Sequence, residues 1–152
     1  METIIQEYSI HLLKLLLALL LGILVGIERQ LSGKTAGLKT HALVSMGSAL
    51  FVIISIIVSD EYQETTVFDP LRVASHIIVG VGFIGGGAIF IKHEFVSGLT
   101  TAANLWIAAG IGMACGFGLY PLAIIVTVLS LLVFVILRYI ERKISEKKNT
   151  KE

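Results

Sequence analysis

The chain has 152 residues, of which 55% are hydrophobic and 15% are charged, and its formal net charge at pH 7 is +1. Its mean hydropathy is +0.88. This composition leaves too little polar surface to cover a water-soluble domain of this size, so it argues against a soluble globular protein.

Five apolar runs organise the sequence. In chain order they are Leu12 to Ile27, Ala42 to Val58, Val73 to Ile91, Ala102 to Phe117 and Leu122 to Leu137. Each has about the length at which an α-helix, rising 1.5 Å per residue, crosses the ~30 Å hydrocarbon layer of a bilayer. Continuous apolar runs lack the alternation of a membrane β-barrel. The sequence therefore predicts an all-α bundle of five transmembrane helices in residues 1–140, followed by a short basic tail in residues 141–152.

The basic residues between these runs are unevenly distributed. Ten lie on one side of the predicted membrane: Arg29, Lys34, Lys39, Lys92, Arg138, Arg142, Lys143, Lys147, Lys148 and Lys151. The other side has Lys14 and Arg72 together with the acidic residues Asp60, Glu61, Glu64 and Asp69. The positive-inside rule then places the amino terminus outside and the carboxyl terminus in the cytoplasm. We expect the basic tail to lie against anionic lipids rather than to bind nucleic acid.

Glycine pairs with G-x-x-x-G spacing occur in three of the runs: Gly22 with Gly26, Gly82 with Gly86, and Gly112 with Gly116. This spacing forms a shallow groove on one helix face and allows membrane helices to pack closely. We expect all three pairs to pack against other helices. The consecutive glycines at 85–87 are expected to bend or unwind the third helix, because each costs about 1 kcal/mol relative to alanine.

Polar residues gather at the cytoplasmic ends of the first, second and fourth runs: Glu28, Arg29, Lys39, Thr40, His41, Thr100, Thr101 and Asn104. Burying such groups in a membrane is costly, and they are often functional. We expect them to converge on one inward-facing pocket. Helix amino ends nearby favour an anion or a partner's carboxylate there. A structural alternative also fits, in which the threonines cap a helix, Glu28 pairs with Arg29 or Lys39, and His41 lies at the interface.

A second polar group lies at the outer end of the third run. Asp69, Arg72 and His76 are spaced three and four residues apart, so they share one helix face. An ion pair between Asp69 and Arg72, followed by a hydrogen-bonded His76, is a sufficient structural explanation. Cys115 is the single cysteine, and we expect it to act as a small buried hydrophobic residue.

Four segments resemble motifs of the MgtC/SapB family: residues 26–29, 36–41, 80–87 and 98–106. They occur in the family's order within about residues 10–140. The resemblance implies a bacterial inner-membrane protein associated with growth at low magnesium and, in some pathogens, with survival inside host cells. Longer members carry a soluble cytoplasmic domain after the last span, which we do not expect here. Thr100 stands where virulence-associated members have asparagine, and Asn104 where threonine is frequent, which indicates a SapB-like relative.

Two functions fit this resemblance. One is a regulator or adaptor of another inner-membrane complex, acting as a homodimer through its glycine faces. The other is a transporter or channel for Mg²⁺ or another cation, with Mg²⁺ as ligand or cargo. Mg²⁺ prefers an octahedral set of oxygen ligands that includes carboxylates, and the spans have none at mid-depth. Glu28 and Asp69 are predicted at opposite membrane faces. We therefore favour the regulator, assign no metal site or cofactor, and expect no enzymatic activity.

Overall fold

The structure is a computed structural model that describes residues 2–62, 69–92 and 95–149. Its elements, in chain order, are α1 (Glu2–Leu31), α2 (Leu38–Glu61), α3 (Pro70–Gly87), β1 (Phe90–Lys92), β2 (Phe95–Ser97), α4 (Leu99–Gly116) and α5 (Tyr120–Asn149). Each helix contains a stretch long and apolar enough to cross a membrane. The predicted five-helix membrane fold is confirmed. Glu64 and Lys151, which contribute to the predicted orientation, lie outside the described residues.

Helix α4 forms the centre of the bundle. It packs against each of the other four helices, whereas α2 packs against α1, α3 and α4. Ten of the 18 residues of α4 are buried, and many of these are alanine or glycine. Such small side chains let neighbouring backbones approach. Helix α5 instead exposes apolar side chains such as Leu129 and Val135, as expected for a surface in contact with lipid.

Two glycine pairs lie where helices approach most closely. An alanine methyl at Gly22 would lie 2.8 Å from the carbonyl oxygen of His41, and one at Gly26 would lie 2.6 Å from the Cα of Leu38. From α4, a methyl at Gly112 would collide with the carbonyl of Ser45. Both α1 and α4 therefore approach the amino-terminal half of α2 through glycine faces, and little space remains between the three backbones.

The third glycine pair does not pack as expected. A methyl group at Gly82 or Gly86 would meet no atom within 4 Å. Contact between α3 and α4 runs instead through Gly85, where a methyl would lie 3.4 Å from the Cβ of Ala102. Gly82 and Gly86 line an open groove beside this contact. Spacing along α3 predicted a glycine face, but the rotation of the helix turns a different glycine toward α4.

The third apolar run is not one helix to its end. Helix α3 ends at Gly87, and the chain then forms a hairpin in which Ile91 pairs with Val96. The run predicted to reach Ile91 is therefore too long, and the three glycines mark a helix end rather than a bend within the helix. Gly98 follows with a φ of 93°, a conformation that favours glycine, and leads directly into α4.

Candidate functional site

Glu28 lies at the centre of a charge network at the carboxyl end of α1. Its Oε2 is 2.5 Å from Nε of Arg29, and its Oε1 is 2.5 Å from Nη2 of Arg138 on α5. The hydroxyl of Ser32 also donates to Oε1, at 2.7 Å. Both carboxylate oxygens are thus occupied by charged or hydroxyl donors, and the network ties α1 to α5.

Arg29 is only 4% exposed, and its side chain is contacted on two sides. Its Nε pairs with Glu28, and its guanidinium carbon lies 3.7 Å from the ring centre of Phe134, a cation–π contact. These two contacts fix the orientation of the guanidinium. Arg29 therefore presents a positive charge from a defined position rather than from a flexible side chain.

A polar cavity of about 620 Å³ opens beside this network. We call it the vestibule, and its charged or hydroxyl-bearing wall consists of Arg29, Ser32, Lys34, Thr100, Arg138 and Glu141. These residues come from α1, the α1–α2 loop, α4 and α5. Three are cationic and two, Arg29 and Arg138, already share one carboxylate. The vestibule is suited to receiving an anion.

His41 and Asn104 form a separate buried pair between α2 and α4. The Nδ1 of His41 lies 2.8 Å from the carbonyl oxygen of Gly37, and its Nε2 lies 2.9 Å from Nδ2 of Asn104. A carbonyl oxygen only accepts, so this geometry assigns the proton to Nδ1. Asn104 then donates to Nε2. The Oδ1 of Asn104 is buried and has no partner among the described residues.

Asn104 also lines a second cavity, of about 410 Å³, between α4 and α5. We call it the cleft. Its wall is apolar apart from Thr100, Asn104 and Ser130. Thr100, Val133 and Phe134 belong to both the cleft and the vestibule. The two cavities are therefore adjacent and share part of their walls. A polar cavity thus lies beside an apolar one between α4 and α5.

The predicted cytoplasmic cluster is divided by the structure into distinct environments. Thr100 lies in the wall of the vestibule with Arg29, whereas Thr101 is buried. Lys39 is exposed and Thr40 is half-buried, and neither lines the vestibule or the cleft. The expected single pocket is thus replaced by a vestibule, a cleft and a buried pair.

The proposed structural alternative for this cluster is also only partly matched. The residue that precedes α4 as its N-cap is Gly98, which makes no side-chain cap, so neither threonine caps the helix there. Glu28 pairs with Arg29, as that alternative has it, but its second cation is Arg138 rather than Lys39. His41 is fully buried rather than interfacial.

The outer group is a helix cap rather than an ion-pair site. Asp69 accepts a hydrogen bond from the backbone N–H of Leu71 at 2.9 Å, which caps α3. In the described part of the chain no ion pair joins Asp69 to Arg72. The Nδ1 of His76 lies 2.6 Å from the carbonyl oxygen of Arg72. All three side chains are exposed, so nothing here encloses a ligand.

Sequence reasoning missed Arg138 as part of a site and treated it only as one of the basic tail residues. Arg138 follows the fifth run directly, just as Glu28 follows the first. Because both runs end at the same predicted membrane face, their first charged residues lie at similar depth. This similar depth was the signal that could have identified Arg138 as a partner of Glu28. No comparable signal marks Phe134, because a single aromatic residue is common in an apolar helix.

The chemistry of these sites favours anion binding over metal binding. Within residues 2–62, 69–92 and 95–149, no three histidine, cysteine, aspartate or glutamate side chains are placed to hold a metal ion. Glu28, which is at the centre of the polar network, is already bound by two arginines. Cys115 is buried and unpaired as a thiol.

Comparison with known proteins adds independent findings. The model of the MgtC family matches residues 15–143. YhiD of Escherichia coli (strain K12), whose name marks it as a candidate magnesium transporter, is 42% identical over 143 residues, covering 90% of this chain and 64% of that protein. An uncharacterized protein of Haemophilus influenzae is 39% identical, covering 91% and 61%. Protein MgtC of Salmonella typhimurium (strain LT2) is 40% identical, covering 90% and 56%.

Two further results frame these similarities. The chain spans between 56% and 64% of the length of these three relatives, which is less than two thirds of each. No solved structure matches the chain.

Proposed function

The chain belongs to the MgtC family, and on that premise we propose that it is a magnesium-linked regulator or adaptor of another complex in the bacterial inner membrane. The proposal includes no enzymatic activity and no resident cofactor. Support for the magnesium link comes from the relatives, one of which is named as a candidate magnesium transporter and another MgtC. Five membrane-spanning helices and family membership support the location.

The observation that favours a regulator over a carrier is the pairing of both carboxylate oxygens of Glu28. A Mg²⁺ path needs free oxygen ligands, and carboxylates are the usual protein contribution. Both oxygens of Glu28 are paired with arginine side chains at 2.5 Å. Two cations beside the carboxylate also repel an approaching divalent ion. The described carboxylates at the helix ends, Asp60, Glu61, Asp69 and Glu141, are exposed rather than set between helices.

We also propose the orientation that the basic residues predict, with the amino terminus outside and the carboxyl terminus cytoplasmic. The vestibule then opens toward the cytoplasm, where Lys34 and Arg138 lie. In this orientation a cytoplasmic partner reaches the Glu28 network directly. Residues 1–140 act as the membrane domain, and residues 141–152 act as its basic tail.

Self-association is the partner arrangement that we propose. Gly82 and Gly86 are not covered by any described residue. They line the open groove on α3, beside Ala102 and Trp106. Small residues at this spacing allow another helix to approach, so α3 of a second copy is the proposed occupant. Disulfide crosslinking of Gly82→Cys tests this, because the native Cys115 is buried. Gly80→Cys is the control, since Gly80 lines the cavity between α2 and α3 instead. Equal crosslinking of both variants would contradict the dimer.

Purified protein in proteoliposomes tests the regulator against the carrier. The lumen holds a Mg²⁺ indicator dye, and vesicles without protein are the blank. We expect the wild type to move no Mg²⁺ above the blank, because its central carboxylate is neutralised. Flux by the wild type that disappears in folded Glu28→Gln protein would establish a carrier and overturn the proposal.

Growth at low Mg²⁺ tests the regulatory role in cells that lack their own copy of the gene. Thr100→Val removes one hydroxyl from the vestibule while conserving shape, and we expect it to weaken growth support. Thr35→Val changes an exposed loop residue outside the vestibule and serves as the control. Immunoblotting of membranes establishes equal abundance. Full growth support by Thr100→Val at equal abundance would remove the vestibule from the function.

A further inference from the structure

The vestibule has a net positive charge and the cleft does not have a charge. Arg29, Lys34 and Arg138 contribute three positive charges to the vestibule, and Glu28 with Glu141 contributes two negative ones. One positive charge is left over. Arg138 is 39% exposed and Lys34 is exposed, so both can reorient toward a ligand, whereas Arg29 is fixed by Glu28 and Phe134.

The cleft lies next to the vestibule, and Thr100, Val133 and Phe134 are in the walls of both. On α4 its wall runs from Thr100 to Ile107, and on α5 it runs from Phe134 back to Val126. At 1.5 Å per residue these stretches extend about 10 to 12 Å into the bundle. Ile107, Val126, Leu129 and Val133 make most of this wall apolar. A single occupant that fills both cavities must therefore be anionic at one end and apolar along the rest.

We propose that the vestibule and the cleft together form a binding site for one anionic phospholipid, with its phosphate among Arg138, Lys34 and Arg29 and an acyl chain between α4 and α5. Charge complementarity selects the head group, since guanidinium groups pair with phosphate through parallel N–H donors. The position supports the tail, because the cleft residues Leu129 and Val133 are about half exposed on α5, the helix whose apolar side chains face outward as expected for contact with lipid.

The lipid site does not depend on the magnesium link and could be present in a carrier or a regulator. A free inorganic phosphate is the competing occupant for the vestibule, because it offers the same oxygens. It would leave the 410 Å³ cleft empty or wet, although the cleft wall is largely apolar. The acyl chain accounts for both cavities, so we commit to the lipid.

Native mass spectrometry of the full chain in detergent tests the site with phosphatidylglycerol as the anionic probe and phosphatidylcholine as the neutral-head-group comparison. We expect the wild type to retain one phosphatidylglycerol more tightly than phosphatidylcholine. Arg138→Gln and Lys34→Gln should each weaken that preference about fivefold, the equivalent of about 1 kcal/mol for one interfacial charge. Lys34 lies in a loop, so its variant keeps the test valid if Arg138→Gln fails to fold.

Matched variants separate the head-group and tail contributions. Leu129→Trp, which lines the cleft and not the vestibule, fills the cleft and should lower phosphatidylglycerol retention, whereas Val128→Trp, the preceding residue of α5 and outside both cavities, should not. Lys143→Gln is the charge control, since it is exposed and lies outside the vestibule. Equal retention of the two lipids would overturn the proposal. So would displacement of the lipid by inorganic phosphate combined with unchanged retention in Leu129→Trp, which would identify a free-anion site instead.

Discussion

The imidazole of His41 accepts a hydrogen bond from the amide of Asn104 across the interface between α2 and α4, at 2.9 Å and 63 positions apart in sequence. Both side chains are at most 1% exposed. The opposite side of the ring is held by the carbonyl oxygen of Gly37. His41 is thus satisfied on both nitrogens, and the pair links the start of α2 to the first turns of α4.

Removing either partner should destabilise the bundle because the remaining polar group stays buried without a partner. We expect His41→Ala and Asn104→Ala to show a coupling of about 0.6 to 1.7 kcal/mol in a double-mutant cycle, which are the average and the maximum for hydrogen bonds between membrane helices. Unfolding of the purified variants in mixed micelles, followed by circular dichroism, measures it. Additive single effects would mean that the hydrogen bond contributes nothing.

A methyl group should have opposite effects at two glycines of α4. At Gly112 it would collide with the Ser45 carbonyl and force α4 away from α2, whereas at Gly110 it would meet no atom within 4 Å. We expect Gly112→Ala to cost about 1 to 3 kcal/mol through overpacking. Gly110→Ala should be neutral or gain up to about 1 kcal/mol from helix propensity. Thermal unfolding in detergent gives both values, and equal stability of the two variants would contradict the close approach.

The charge network around Glu28 should respond unequally to loss of its members. Glu28→Gln leaves the guanidinium of Arg29 uncompensated although that residue is only 4% exposed, so we expect a loss of about 3 kcal/mol. Arg138→Gln removes a cation that is 39% exposed and leaves Glu28 paired with Arg29, so about 1 kcal/mol is expected. Urea titration in mixed micelles measures the order, and a larger loss for Arg138→Gln would show that the buried pair is not the dominant one.

Single cysteines should report the orientation of the bundle. Glu61→Cys lies at the end of α2 that is predicted to face outward, and Thr35→Cys lies in the basic loop between α1 and α2. Both positions are exposed, and the native Cys115 is buried. We expect a membrane-impermeant maleimide added to intact spheroplasts to label Glu61→Cys and to label Thr35→Cys only after lysis. The reverse pattern would invert the proposed topology.

The helices were predictable because each span is marked by its own residues. The bilayer demands a long apolar stretch, and that demand is visible in the sequence without knowing any neighbour. Run three shows the limit of this signal. Hydrophobicity continued to Ile91, but three glycines weakened the helix and the chain turned into the β1–β2 hairpin, whose strands are also apolar. Hydropathy alone does not distinguish these two structures.

The candidate site depended more strongly on tertiary structure. Glu28 with Arg29 was visible as adjacent charges, but the partner Arg138 lies 110 positions away. Likewise, His41 and Asn104 were each identified at helix ends, and only the packing of α2 on α4 brought them into contact. The same packing left Lys39 outside, although it is near His41 in sequence.

The sequence by itself determined the solvent and the number of spans, because these follow from composition and from the length of each apolar run. Tertiary structure decided which way each helix faces. Helices that are apolar on nearly every side carry little periodic signal for their rotation in a bilayer, since lipid and protein neighbours are equally apolar. Close contacts at Gly22 and Gly112, and none at Gly82, follow from that rotation. So does the position of the vestibule beside the cleft.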